Sequence, residues 1–195
     1  RQQPRDIDVL VQTRKSSDYL LKQLVPALES RCQVLTLGGF VDDLSVLFNR
    51  SQIFLYDSAE YWALSRVSEG FGLPPMEAMA CGCQVFTSVN GALADYLDPG
   101  FNCYKIGVYA VGYDCDRILA ALRTASPQRM TAADLAPYRA DALVPRLEVI
   151  LAEINQFFDY RARHRADVPD LTPPRLARLG LQRTLAKLGK KLKSR

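Results

Sequence analysis

Short runs of apolar and β-branched residues alternate along this chain with stretches of helical spacing, and this alternation limits the possible folds most strongly. Two successive strands that are joined through a helix pair in parallel, because the crossover returns the chain to the same end of the sheet. The sequence therefore predicts an α/β fold, with a parallel sheet and flanking helices. The predicted strands are residues 7–12, 32–37, 53–56, 84–87 and 103–106.

Helical patterns fill the intervals between these strands and continue after the last of them. The first helix is predicted to begin at Ser16 or Ser17, either of which can cap it, and to reach Leu28, with Pro26 as a kink or an early stop. Further helices are predicted at residues 42–49, 75–81, 114–125 and 143–160, with a helical turn at 92–97.

The central stretch, SEGFGLPPMEAMACG at residues 68–82, combines a glycine loop with the start of a helix. Pro74 and Pro75 suit the first turn of a helix, where a missing N–H costs little. Gly70 and Gly72 let the backbone approach a ligand closely, and the positive end of a helix dipole favours a phosphate group. The stretch is therefore predicted to form a ligand-binding loop.

Two carboxylates accompany this loop, Glu69 before it and Glu77 inside the helix, and both are predicted to border one pocket. A phosphate beside carboxylates is expected where the same ligand also carries hydroxyl groups, and a nucleotide sugar carries both. The alternative is an ordinary helix start with two solvated glutamates.

The run from Glu69 to Gly82 resembles the signature of the family 4 retaining glycosyltransferases, in which two glutamates with seven residues between them bracket the donor site. The resemblance implies a Rossmann-like domain, the C-terminal half of a GT-B fold. It also implies that Glu69 faces the transferred sugar and Glu77 the ribose hydroxyls. The loop residues that it implies as donor contacts are Gly70, Phe71, Gly72 and Leu73.

The resemblance also assigns the residues that follow the first strand. In the family an arginine and a lysine neutralise the donor diphosphate at this position, and here Arg14 and Lys15 occupy it. We therefore assign both cations to catalysis with Glu69, and Lys22 is a weaker candidate; alternatively, Arg14 and Lys15 are a solvated pair at a strand end. Because ligands bind past the ends of parallel strands, further donor contacts are expected at Gly39, Ser58, Asn90 and Gly91.

Two departures from the family pattern are visible. One strand and helix unit is missing before the strand at residues 32–37, and residues 59–68 form an inserted loop. This loop holds Trp62, the only tryptophan of the chain. Trp62 is predicted either to form a stacking wall for donor or acceptor or to pack on its own domain.

Composition limits the class of protein. The chain of 195 residues begins at Arg1 and resembles a piece of a longer protein. No run of about eighteen apolar residues is present, so no membrane span is predicted. Five cysteines without paired spacing and a single histidine, His164, favour a reducing cytoplasm and predict no metal site.

The C-terminal stretch differs from the rest in charge. Residues 161–195 hold eleven Lys or Arg and two Asp, a net charge of +9, whereas the whole chain carries +4 and residues 1–160 therefore carry -5. Within residues 171–195, leucines at helical spacing lie among the cations: Leu181, Leu185, Leu188 and Leu192. A basic amphipathic helix of this kind suits an anionic membrane surface; a solvated tail, or a helix docked on a missing domain, is the alternative. The stretch lacks the aromatic residues that favour nucleic-acid binding.

These observations predict a nucleotide-sugar-binding domain at residues 1–165 and a basic amphipathic tail at 166–195. The resemblance implies a metal-independent, cytoplasmic glycosyltransferase, with this chain as its donor-binding half and the N-terminal acceptor domain missing. The fragment alone is therefore expected to bind the donor without catalysing transfer. Two alternatives stay open: a non-catalytic nucleotide-binding or protein-interaction module, and a GT-B nucleotide-sugar epimerase. Products with new glycosidic linkages distinguish a transferase from an epimerase.

Overall fold

A computed structural model describes residues 4–124, 132–165 and 168–193. The strands within these ranges are β1 (Ile7–Gln12), β2 (Val34–Leu37), β3 (Ser51–Tyr56), β4 (Gln84–Thr87) and β5 (Tyr104–Lys105). They form one parallel sheet in the order β2-β1-β3-β4-β5. This confirms the α/β fold that the sequence predicts.

Helices flank the sheet and follow it. A π-helical turn (Leu20–Leu24) directly precedes the first α-helix, and 3-10 turns lie at Gly91–Asp95 and Ala136–Tyr138. The α-helices are α1 (Val25–Glu29), α2 (Leu44–Arg50), α3 (Ala59–Ser65), α4 (Leu73–Ala80), α5 (Val111–Arg123), α6 (Ala132–Leu135), α7 (Ala140–Arg163) and α8 (Pro173–Lys193). Residue 125, the predicted end of the helix at residues 114–125, lies outside the described residues.

The core has two layers, one on each face of the sheet, and β3 contributes to both. Phe54 and Tyr56 face one cluster of buried residues, whereas Ile53 and Leu55 face the other. Successive side chains of a strand point to opposite faces, so a central strand covered on both sides reads as an uninterrupted apolar run. This is why residues 53–56 are recognisable as a strand in the sequence.

Pro26 does not end the first helix. Helix α1 continues through Pro26 to Glu29, and the π-helical turn directly precedes α1. At the end of this turn, the Val25 N–H donates a hydrogen bond to the carbonyl of Leu20. Proline cannot donate to the helical ladder, and a wider turn accommodates the lost hydrogen bond. The expected kink or stop is therefore replaced by a local change of helical pitch.

β2 is an edge strand, and the prediction of a buried strand at residues 32–37 was wrong in extent and in burial. Only Leu37 of this strand is buried, and Leu35 is 39% exposed. β2 is paired with β1 on one side only. At the other edge of the sheet, β5 is two residues long.

The inserted segment is not a loop, since residues 59–65 form helix α3. Ser88, which follows β4, fixes its start because its Oγ accepts hydrogen bonds from the backbone N–H groups of Ser58 and Ala59 at 3.0 and 3.3 Å. Arg66 ends the helix in the left-handed conformation, with φ 55°. The helix therefore has a fixed start and a defined end.

Cys32, Cys81, Cys103 and Cys115 are free thiols, and Cys83, Cys103 and Cys115 are buried. Burial raises the pKa of the Cys103 thiol to about 11. Cys81 and Cys83 lie at the end of α4 and before β4, where Cys83 packs into the core. They are small packing residues in this fold.

The chain divides into two compact units between Arg139 and Ala140. The predicted boundary between residues 165 and 166 stays a prediction, and residue 166 lies outside the described residues. The second unit contains α7, whose apolar side chains are exposed, and α8, the helix predicted for the basic tail. The side chains of Leu188 and Leu192 lie outside the described residues. Across residues 4–124, 132–165 and 168–193, the structure has no helix with the length and hydrophobicity of a membrane span.

Phe54→Ala tests the importance of the central strand. Phe54 has no exposed surface and packs edge-on against Phe48, with ring centroids 5.2 Å apart. We expect a loss of about 3–5 kcal/mol in the free energy of unfolding, because the substitution opens a cavity. Urea unfolding followed by circular dichroism measures it, with Phe40→Ala as the matched control, since Phe40 is 91% exposed. Equal midpoints for both variants would contradict this account of the core.

Candidate functional site

A cavity of about 440 Å³ opens past the carboxyl ends of β1 and β3. Gln12 and Tyr56 are the last residues of these two strands, and the loop after α3 closes the opposite side. The cavity thus lies where ligands of parallel sheets bind. Its lining residues are Gln12, Arg14, Lys15, Tyr56, Glu69, Phe71, Gly72, Leu73 and Pro74.

Two cations stand at one side of this cavity. Arg14 and Lys15 form the turn after β1 and are exposed, and Lys15 adopts the left-handed conformation with φ 62°. The Lys15 ammonium lies over the Trp62 ring, with Nζ 4.5 Å from its centroid. Lys22 lies elsewhere, in an exposed ion pair with Asp18 at 2.7 Å, and does not line the cavity.

Glu69 faces the cavity as a nearly buried carboxylate, 8% exposed. Its Oε2 accepts two hydrogen bonds, from the Tyr56 hydroxyl at 2.7 Å and from the Trp62 indole N–H at 2.5 Å. Burial, together with the hydrogen bond to this carboxylate, raises the pKa of the Tyr56 phenol. Tyr56 therefore stays a neutral donor that holds the carboxylate in place.

Aromatic residues fix the position of the glycine loop through ring contacts with Phe71 and a hydrogen bond to Gly72. Phe71 packs against Tyr96 and Tyr138, with ring centroids 5.0 and 6.0 Å away. The Tyr96 hydroxyl donates to the Gly72 carbonyl at 2.5 Å. Gly72 has φ 71°, and a Cβ at this position would lie 2.3 Å from Leu93 Cδ2. Only glycine fits here, so the loop reaches the cavity in one conformation.

The start of α4 offers few amide donors, although the sequence suggested a phosphate site there. Pro74 and Pro75 lie in its first turn and carry no N–H, so Gly72 and Leu73 supply the amides nearest the cavity. Arg14 and Lys15 are therefore the principal positive groups at this cavity.

Ser58, Asn90 and Gly91 lie behind the cavity and do not line it. The Asn90 amide donates to the Ser58 hydroxyl at 3.4 Å, and Ser58 is fully buried. Gly91, with φ 56°, lies against the backbone of Glu69, whose carbonyl accepts from the Ala92 N–H at 3.3 Å. These residues support Glu69 from behind.

Glu77 lines a second cavity, of about 310 Å³, together with Asp42, Asp43 and residues of α2. Asp43 caps that helix by accepting from the Ser45 N–H at 2.9 Å. Gly39 lines neither cavity. The two glutamates therefore do not border one cavity, because α4 directs Glu77 towards α2 and not towards Glu69.

Sequence reasoning missed four groups at or beside the cavity: Gln12, Tyr56, Pro74 and the indole N–H of Trp62 on Glu69. The first two are the final residues of strands, whereas ligand contacts were expected from the residues that follow the strand ends. Trp62 carried a signal as the only tryptophan, although its contact with Glu69 depends on the position of α3 in space.

Within the described ranges, no group of three or more His, Cys, Asp and Glu side chains is placed to hold a metal ion. The positive charge at the cavity comes from Arg14 and Lys15. Independence of metals stays a prediction.

Comparison with known families gives one match that covers most of the first compact unit. The model of the family described as glycosyl transferases group 1 matches residues 8–140. Among the described residues, that range contains β2 to β5, all of β1 except Ile7, and every residue that lines the two cavities.

Two curated relatives are bacterial mannosyltransferases. The serotype-specific mannosyltransferase WbdA of Escherichia coli is 35% identical over 81 residues, which are 40% of this chain and 9% of that protein. The MMP alpha-(1->4)-mannosyltransferase of Mycolicibacterium hassiacum is 29% identical over 118 residues, 60% of this chain and 26% of that protein. The chain thus spans about a quarter or less of the length of these two relatives.

Among solved structures, the one titled "Crystal structure of GtfA/B complex" aligns with a TM-score of 0.56 at 18% identity. The alignment covers 79% of this chain and 37% of that chain. At this identity the likeness concerns the fold alone.

Gly91→Ala tests the support behind Glu69. A Cβ at Gly91 would lie 2.6 Å from the Glu69 carbonyl oxygen and 2.9 Å from its nitrogen, and the positive φ adds strain. We expect a loss of about 1–3 kcal/mol in the free energy of unfolding, measured in urea. Gly112→Ala is the control, since it lies in α5 with open space around it, and it should lose nothing. A Gly91 variant as stable as this control would contradict the proposed support.

Proposed function

This chain belongs to the glycosyl transferases group 1 family, and from that membership we propose that it is the donor-binding domain of a family 4 glycosyltransferase. The whole protein would transfer a hexose from a nucleotide sugar to a glycan or lipid-linked acceptor, with retention of configuration. One observation carries the proposal: Arg14, Lys15, the carboxylate of Glu69 and the glycine loop converge on one cavity past the strand ends.

The two cations suit the diphosphate of the donor. When the bond between sugar and diphosphate breaks, negative charge develops on the leaving oxygen, and fixed positive groups stabilise that charge. Arg14 and Lys15 stand at the cavity for this role. Cations in this position make a metal ion unnecessary, so we propose a metal-independent reaction.

Glu69 suits the transferred sugar. Its Oε2 already accepts two hydrogen bonds from Tyr56 and Trp62. Sugar hydroxyl groups are donors that a carboxylate accepts well. We propose that Glu69 orients the sugar and that the loop residues Gly70, Phe71, Gly72 and Leu73 complete the sugar and phosphate contacts.

The nucleoside would extend towards the second cavity, where Glu77 is exposed beside α2. The carboxylate of Glu77 suits the two ribose hydroxyls, which are again donors. This arrangement separates the roles of the two glutamates in space and assigns one cavity to the sugar and the other to the nucleoside. The remaining predicted residues would then support the shape of the site without contacting the donor: Gly39, Ser58, Asn90 and Gly91.

Partners and location follow from the same proposal. An acceptor-binding N-terminal domain is the proposed partner that completes the active site, and the enzyme is proposed to work in the cytoplasm.

We also propose that α8 rests on the anionic inner face of a membrane, since Arg175, Arg178 and Arg183 lie on a helix with exposed leucines.

Calorimetric titration with UDP, GDP, ADP and their sugar conjugates, mannose conjugates included, tests the donor site. We expect selective binding of one nucleotide, weakened about tenfold by Lys15→Met, because a charge-assisted contact to phosphate is lost. Lys22→Met is the matched control, since Lys22 pairs with Asp18 away from the cavity, and it should bind as the wild type does. Absence of binding, or equal loss in both variants, would contradict the proposal.

Sedimentation with lipid vesicles tests the membrane contact. We expect binding to vesicles that contain anionic lipid, reduced at least tenfold when Arg175, Arg178 and Arg183 are changed to Gln, because each cation near the surface contributes about 1 kcal/mol. Neutral vesicles serve as the control and should bind little. Equal binding to neutral and anionic vesicles would refute an electrostatic contact.

A further inference from the structure

Trp62 contacts two groups of the site at once. Its indole N–H donates to Glu69 Oε2 at 2.5 Å, and the Lys15 ammonium lies 4.5 Å from the centroid of its ring. Trp62 is half-buried and belongs to α3, the segment that departs from the family pattern. The proposed function gives it no role.

We propose that Trp62 is a positioning residue that keeps Lys15 and Glu69 apart, so that the ammonium stays available to a diphosphate and the carboxylate to a sugar. The inference rests on the proposed function, because it assumes the same cavity and the same class of ligand.

Separation is needed because the two charges are opposite and share one cavity. Such charges attract each other strongly where water is partly excluded. A direct ion pair would cancel both charges and fill the positions of phosphate and sugar. Among the described residues, however, no ion pair within 4.0 Å joins Lys15 to Glu69.

The indole gives each charged group a neutral partner instead. A carboxylate accepts the N–H in the plane of the ring, whereas an ammonium is attracted to the face of the ring. One side chain therefore satisfies both groups from perpendicular directions. No other amino acid combines a ring face for a cation with an N–H donor that stays neutral and cannot accept a proton at neutral pH.

Helix α3 holds the indole in this position. Ser88 Oγ fixes the start of the helix, and Glu60 Oε2 accepts from the Asp18 backbone N–H at 2.8 Å. Tyr61 packs edge-on against Trp62, with ring centroids 5.1 Å apart. Trp62 is thus positioned by the domain itself, before any ligand binds.

The arrangement also leaves one oxygen of Glu69 for the ligand. Both donors, Tyr56 and Trp62, bond to Oε2, and no described residue donates a hydrogen bond to Oε1. Oε1 is therefore the atom that would accept from a sugar hydroxyl, and the two donors determine where it points.

The first test needs no ligand. Because Trp62 is the only tryptophan, the fluorescence of the free protein reports its surroundings alone. Lys15→Met and Glu69→Gln should each change the emission intensity or maximum. Lys22→Met and Glu29→Gln, which alter exposed charges outside the cavity, should not. If neither site variant changes the emission, the contacts do not exist and the inference is overturned.

The second test separates the two contacts of the indole. Trp62→Phe keeps a ring face and removes the N–H, whereas Trp62→Leu removes both. By calorimetry, the Phe variant should bind the nucleoside diphosphate with an affinity within about twofold of the wild type. The ratio of its affinity for the sugar conjugate to its affinity for the nucleoside diphosphate should fall about tenfold. The Leu variant should also bind the diphosphate about threefold more weakly.

The outcomes distinguish this inference from the proposed function. If the wild type binds a nucleotide sugar and both Trp62 variants bind it equally well, the positioning role is overturned while the donor site stands. If the wild type binds no nucleotide, the proposed function fails, and the fluorescence of the free protein still decides whether Trp62 links the two charges. If the Leu variant does not fold, the Phe variant alone supplies the comparison.

Discussion

Parallel pairing of β3 with β1 on one side and β4 on the other is the constraint on which the site depends. Phe54 is opposite Leu10 in one pair and opposite Val85 in the other, so the three strands end at the same edge of the sheet. Each end contributes one part of the site: the cations after β1, Tyr56 at the end of β3 and Ser88 after β4. The buried layers on both faces of β3 therefore fix the distances between groups that are far apart in sequence.

The sequence was sufficient for those features that depend on local pattern. Apolar runs predicted the central strands, because a strand covered on both faces needs consecutive apolar residues. The glycine loop and the prolines predicted the start of α4, because glycine adopts the left-handed backbone conformation readily and proline is favoured in the first turn of a helix. The rule that ligands bind past the ends of parallel strands pointed to Arg14 and Lys15, and the resemblance to the glycosyltransferase signature joined them with Glu69.

Features that depend on the packing of distant elements were not predictable. The direction of Glu77 depends on the contact between α4 and α2, which no local pattern records. The edge position of β2 depends on strand order, and the same residues would be buried in a central strand. The partners of Glu69 come from β3 and α3, so their convergence appears only once both elements are in place.

The short edges of the sheet bear on how the domain behaves at high concentration. An open sheet edge presents unpaired N–H and C=O groups that can recruit a strand from another molecule. Here the edge strands are four and two residues long, β2 and β5, which leaves little backbone for such pairing. Self-association through the sheet is thereby disfavoured, and the exposed apolar face of α7 is the surface more prone to aggregation.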